Sequence, residues 1–290
     1  MQAHDHFLSI DGLRLHYREW GDASSPPVVL LHGGSAHAHW WDFFAPAIAD
    51  AYRVLALDLR GHGDSDHADP PAYRIGDYTR DLAKFVEAMA LERFDLIGHS
   101  LGGMVATAYA GLAPQRLNSL VVVDSQLRIT PGGAHYMLRL HNFPQTFYRD
   151  REQAIRRFRL LPTRTEATAE VLAHVAAQGI RQMPDGRWTL KFDRESLAHA
   201  EPQDLTPILR HVTCPILFVR GAHSPLLTHA ALTALQAAIP HAEAVEVPNA
   251  HHHVMLDNPA GFEHVVRGFL DKAPTYAATQ FSSSAIEILR

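Results

Sequence analysis

A mostly parallel, doubly wound α/β sheet is the fold class predicted for this 290-residue chain. Three observations predict it. Short β-rich apolar runs alternate with helical patterns along most of the chain. The runs are continuous rather than in-out alternating, as in strands covered on both faces of a parallel sheet. One interval of about ninety residues, 125–214, breaks the rhythm and is too long for a bare connection in a compact domain.

In chain order, residues 7–20 read as an antiparallel edge meander, with 13–20 alternating at period two as a half-exposed strand. Apolar strands follow at 28–31, 54–57, 94–97 and 120–123, separated by helical patterns at 40–48, 75–90 and 101–112. After the long interval come strands at 216–219 and 244–247 and helices at 230–239 and 259–270. The interval holds a helical pattern at 163–177, a turn at Pro184-Asp185-Gly186, and the aromatics Tyr136, Phe143, Phe147, Tyr148, Trp188 and Phe192. It reads as an inserted, mainly helical lobe over the carboxyl ends of the strands, where open α/β sheets bind ligands. The expected division is 1–124 and 206–272 for the core, 125–205 for the lobe, and 273–290 for a Ser/Thr/Ala-rich extension.

Composition excludes several classes. A net charge of -5 argues against a nucleic-acid surface, and Arg149, Arg151, Arg156, Arg157 and Arg159 read as a solvated helix face. One cysteine, Cys214, allows no internal disulfide. No apolar run approaches membrane-spanning length and the N-terminus lacks a signal pattern, so the expected setting is cytoplasmic, with no membrane partner. The 21 histidines show no metal-ligand spacing, and consecutive His251, His252 and His253 point apart, so no metal is expected.

The stretch Phe94 to Gly103, FDLIGHSLGG, carries the chemistry. It places G-x-S-x-G between a strand and a helix, which puts Ser100 on a sharp turn with its hydroxyl at the positive end of the helix. LLHGGSAHAHWW, residues 30–41, is a Gly-rich loop able to direct a backbone N–H toward that serine. Acyl transfer needs two such donors for the developing oxyanion, assigned here to Gly34 and Leu101.

HGG after the third strand, ALDLRGHGDSD at 56–66, GHSLGG and a late His together resemble the α/β-hydrolase superfamily, in its lobe-bearing esterase and lactonase-like branch. The resemblance spans about residues 7–270. It implies an eight-stranded sheet, a cap between the sixth and seventh strands, and a Ser–acid–His triad. In VPNAHHHVMLDNP, residues 247–259, the family pattern falls on His252 as general base, with His251 and His253 as runners-up. The usual acid position, in the loop after the seventh strand, holds Ser224 and Pro225. A minority of the superfamily, haloalkane dehalogenases included, carries its acid at the end of the sixth strand, which here is Asp124. Asp257 and Glu246 rank below it. The loop 58–66 is expected to brace the floor of the site. One of Trp40 and Trp41 is expected to wall the pocket, Trp40 being the candidate, and His99 to pack under the turn as a further pocket candidate. Tyr136, Phe143 and Trp188 are further pocket candidates, although the lobe's own small core is the plainer use for such aromatics.

The expected activity is cofactor-independent serine hydrolysis of a carboxylic ester or lactone, through an acyl-enzyme on Ser100. A carbon–carbon bond hydrolase with the same triad, and a non-catalytic ligand-binding member of the fold, stay open. The expected partner is a small-molecule ester or lactone; a homodimer is left open.

Overall fold

The computed structural model describes residues 2–272; the expected extension 273–290 lies outside the described residues. Strands β1 (His4–Ile10) and β2 (Leu13–Trp20) form the expected hairpin, turning through Asp11 and Gly12 at positive φ. Strand β3 (Pro27–Leu31) is followed by a 3-10 turn at Ala38–Trp41 and the short helix α1 (Ala45–Ile48). The single helix expected over 40–48 is therefore broken. Pro46 lies in the first turn of α1, where its missing N–H is harmless; inside a longer helix it would remove a bond and clash.

Strand β4 (Arg53–Leu57), helix α2 (Ile75–Ala88), strand β5 (Phe94–His99), helix α3 (Leu101–Leu112) and strand β6 (Leu117–Val123) complete the first part of the core. The interval after β6 contains β7 (Arg128–Ile129), α4 (Pro131–His141), α5 (Arg151–Arg157), α6 (Ala169–Gln178), β8 (Ile180–Gln182), β9 (Trp188–Leu190), α7 (Glu195–Ala198) and β10 (Gln203–Asp204). The chain then returns with β11 (Ile216–Gly221), α8 (His229–Ala238), β12 (Glu243–Val247), α9 (Val254–Asp257) and α10 (Pro259–Leu270).

The helix expected at 163–177 starts later, at Ala169, with Thr168 as its cap. The Asp257 carboxylate holds the preceding residues out of helix: it accepts from the Thr165 hydroxyl and from the N–H groups of Glu166 and Ala167. Such side-chain bonds offer the backbone an alternative to the helical ladder.

The main sheet has eight strands in the order β1-β2-β4-β3-β5-β6-β11-β12, antiparallel only at β1/β2 and β2/β4. Every residue of β5 and β6 is buried. Apolar side chains pack on both faces, with α2, α3 and α8 on one and the turn after β3, α1 and α10 on the other. Two small antiparallel sheets accompany α4 to α7 in the inserted segment: the β8/β9 hairpin, and β7 paired with β10, which brings the two ends of the segment together. The inserted arginines Arg149, Arg151, Arg156, Arg157 and Arg159 are exposed, and Cys214 is buried. Among the described residues, no helix is long and apolar enough to cross a membrane.

Candidate active site

The sharp turn from β5 into α3 sets Ser100 at φ 53, ψ -113, a conformation that costs a non-glycine residue about 1–3 kcal/mol. Glycine on either side makes it sterically feasible. A Cβ on Gly98 would sit 2.2 Å from the Gly102 carbonyl oxygen, and one on Gly102 would sit 2.4 Å from that of Leu31. Two backbone bonds fasten the turn: Ser100 N–H donates to Val123 O at 2.9 Å and Gly102 N–H to His32 O at 3.1 Å. Leu101 is the first residue of α3, so its N–H is one of the donors a helix leaves without an internal partner. Gly34 comes from the loop after β3, with open space where a side chain would project. Ser100, Gly34 and Leu101 all line one cavity of about 390 Å³.

The same cavity is lined by His252 and Asp124. His252 Nδ1–H donates to Asp124 Oδ1 at 2.9 Å, so the carboxylate at the end of the sixth strand, at φ 44, meets the imidazole from before α9. Because Nδ1 carries that proton, Nε2 is left with its lone pair. Ser100 Oγ makes no hydrogen bond among the described residues; such contacts often tighten only when substrate binds.

The loop where an acid is usual supplies donors instead. Ser224 Oγ–H donates to Asp124 Oδ1 at 2.6 Å and Gly221 N–H to Oδ2 at 2.9 Å. Burial pushes the Asp124 carboxyl up to about 7, against the pull of Ser224, Gly221 and the Arg220 guanidinium toward the charged form. Burial, with the neighbouring His253, holds His252 well below the ordinary imidazole value, so it is neutral and able to accept a proton. Sequence reasoning missed Ser224 as a partner of Asp124, though it had marked this position as lacking the acid. Asp257 is spent on the 165–167 segment and on His251 N–H, and Glu246 on Arg220 and His229.

The surroundings divide the remaining candidates. Trp40 lines the cavity while Trp41 is fully buried in the core. His99 is buried under the turn and donates from Nε2 to His252 O at 2.9 Å. One ring nitrogen from each of His99, His252 and His253 lies within 4.8 Å of the other two. Asp58 ties the 58–66 loop together, accepting from His16 Nδ1 at 2.7 Å, Ala38 N–H at 2.6 Å and Asp64 N–H at 2.9 Å. His62 of that loop reaches the cavity.

Tyr136 lines the cavity from α4, but Phe143 and Trp188 do not, which corrects those two pocket expectations. Phe143 follows the end of α4 and is 61% exposed. Trp188 pairs by backbone with Gln182 across the β8/β9 hairpin and with Tyr148 on its other edge, outside the cavity lining. The α4 residues facing the site are Gly133, Tyr136, Met137 and Leu140. Their i, i+3, i+4, i+7 spacing is the sequence signal that marks this face of the helix.

A family model for the alpha/beta hydrolase fold matches residues 26–259. The 2-(acetamidomethylene)succinate hydrolase of Mesorhizobium japonicum is 28% identical over 275 residues, covering 93% of this chain and 97% of that protein. A pimeloyl-acyl-carrier-protein methyl ester esterase of Aeromonas hydrophila is 30% identical over 257 residues, covering 84% of this chain and 95% of that protein. The crystal structure of E-2-(acetamidomethylene)succinate hydrolase superposes with a TM-score of 0.83 at 26% identity, covering 93% of this chain and 100% of that one. With the nucleophile turn, the sheet order and a match across most of its length in agreement, this chain belongs to the alpha/beta hydrolase fold family.

Proposed function

We propose that the protein is a serine hydrolase that cleaves carboxylic esters, lactones included, through an acyl-enzyme on Ser100. The observation that carries this reading is the His252–Asp124 pair at 2.9 Å, opening on the same cavity as the strained Ser100. His252 Nε2 takes the Ser100 proton as Oγ bonds to the substrate carbonyl carbon. The backbone N–H groups of Gly34 and Leu101 receive the negative charge on the carbonyl oxygen, each worth about 10²–10³ in rate by analogy with other serine hydrolases. The C–O bond to the leaving group breaks, and the alcohol departs with the proton from His252. Water then gives a proton to His252 and its oxygen to the acyl carbon, releasing the acid and restoring Ser100. Asp124 holds the His252 tautomer and stabilises the imidazolium that forms in each half.

The substrate's acyl or ring portion is read as compact and uncharged. A volume of about 390 Å³ suits a small ligand, and the walls bring Met104, Ile129, Met137, Leu140 and Leu161 around the serine. The name of the Aeromonas hydrophila relative, a methyl ester esterase, supports the ester reading.

The test pairs a fluorophosphonate probe with p-nitrophenyl esters and lactones of graded size. Covalent labelling at Ser100 and turnover of at least one ester are expected. Ser100→Ala should abolish labelling and cut turnover by about 10⁶. A folded wild-type chain that neither takes the probe nor hydrolyses any member of the panel would reject the reading.

A further inference from the structure

We infer that His99, His252 and His253 form a binding site for a transition-metal dication such as Zn²⁺, and that filling it shuts the active site. The fold makes this trio. Residues 251–253 are consecutive, and counting along the chain could not bring a third imidazole to His252 and His253. His99 arrives from the end of β5, and one ring nitrogen of each residue lies within 4.8 Å of the other two.

The tautomers favour ligation. His99 Nε2–H donates to His252 O at 2.9 Å, His252 Nδ1–H to Asp124 Oδ1 at 2.9 Å, and His253 Nε2–H to Pro162 O at 3.0 Å. An oxygen that only accepts fixes the proton on the facing nitrogen, so each ring keeps its lone pair on the other. Metal-binding histidines are commonly oriented in this way, by a carbonyl or carboxylate on the second nitrogen. Two of those lone pairs have no other use: His99 Nδ1 and His253 Nδ1 are buried without a hydrogen-bond partner, in residues each 1% exposed. Seven other buried side-chain polar atoms among the described residues also lack a partner, but only these two belong to imidazoles clustered with His252.

All three residues line the cavity, which provides the entry path, and imidazole suits zinc, copper and nickel. Tetrahedral zinc with nitrogens at about 2.0–2.1 Å spaces its ligands roughly 3.3 Å apart, so nitrogens that lie within 4.8 Å of one another draw in by at most about 1.5 Å, with each ring presenting the nitrogen that its other hydrogen bond leaves free. A fourth position toward the cavity is left for water. Once the His252 lone pair is on the metal, nothing accepts the Ser100 proton. That last consequence rests on the ester-hydrolase reading; metal binding does not.

The experiment titrates chelator-treated protein with Zn²⁺ by calorimetry and with Co²⁺ by visible absorption. Expected are one tightly bound ion per chain, tetrahedral nitrogen-ligand bands with Co²⁺, and loss of fluorophosphonate labelling in step with occupancy, restored by EDTA. His253→Phe and His99→Leu should each weaken Zn²⁺ binding by more than about tenfold, since even losing a ligand's outer partner commonly costs that much. Two more exposed groups, His39/Asp42/His174 and Glu166/His223/His251, serve as controls through His174→Ala and His251→Ala. Affinity that follows the controls, absence of stoichiometric binding, or Co²⁺ bands lacking tetrahedral nitrogen character in the unaltered chain would each overturn the site. Zn²⁺ bound at these histidines with labelling unaffected would overturn the shut-off. A chain that binds Zn²⁺ at these histidines but never takes the probe would instead sink the ester-hydrolase reading and leave the metal site standing.

Discussion

The floor and the roof of the cavity are built on opposite terms. Strand β5, which delivers His99 and leads into Ser100, has no residue that is not buried; helix α4, which overhangs it, has no residue that is. The floor is held by sheet hydrogen bonds on both sides of β5, by glycines packed against backbone at Gly98 and Gly102, and by the Asp58 network. The inserted segment is fastened to the core by apolar packing of Leu160, Val171 and Val175 and by polar ties such as Lys191 to Asp64, Tyr73 to Asp193, His174 to Asp42, and Asp257 to the 165–167 segment, while α4 itself stays outside that packing. A strained serine needs surroundings that over-determine it, and only the floor has them. A surface that selects among acyl groups needs the right apolar side chains, and tolerates exposure. On the proposed function, chemistry falls to the floor and selectivity to the roof.

The sharpest way to break that division is at the acid. Asp124→Asn leaves shape intact but offers His252 the wrong tautomer, so turnover should fall by about 10³–10⁴ with the melting temperature little changed. Near-normal activity in a folded Asp124→Asn chain would move the acid elsewhere and undo the account of the floor.

A smaller effect is expected from Ser224→Ala. Ser224 donates to the Asp124 carboxylate, and burial already pushes that carboxyl up to about 7. Losing a donor to the charged form raises the value further, so the acid limb of kcat/KM shifts to higher pH. A hydrogen bond to a charged group is worth about 1.5–3 kcal/mol, or about one to two pH units, so activity at neutral pH should drop by about tenfold or more and recover above pH 9. Because the Asp124–His252 pair titrates as a unit, the shift belongs to the pair. A pH profile superimposable on that of the wild type would remove Ser224 from the machinery.

The mildest change probes the roof. Leu140→Ala should lower kcat/KM for an octanoyl ester by about three- to tenfold, the loss of one or two methylene contacts' worth of burial, while an acetyl ester reacts as before. Phe143→Ala, which lies off the cavity, should alter neither. Equal losses on both esters in Leu140→Ala would mean that the roof shapes the reacting groups after all.

Much of this was legible in the chain itself because it is local. Parallel strands buried on both faces need continuous apolar runs, and a serine on a sharp strand-to-helix turn needs its neighbouring glycines, so the sheet and Ser100 stand out without any three-dimensional information. The inserted segment was less legible. Its helix boundary at Ala169 depends on Asp257, about ninety residues away, and Trp188 is placed by backbone pairing with Tyr148, about forty residues earlier.

Sequence alone determined the fold class, the sharp turn that carries Ser100, and the short set of candidates for the proposed base and acid, since each is tied to a local pattern of spacing. Tertiary structure alone decided that Asp124 rather than another carboxylate faces His252, that the empty acid position contributes Ser224 as a donor, and that His99 closes on His252 and His253. Those are contacts between the ends of separate strands. Their geometry is set by how the sheet aligns residues about a hundred or more positions apart, and no spacing along the chain encodes it.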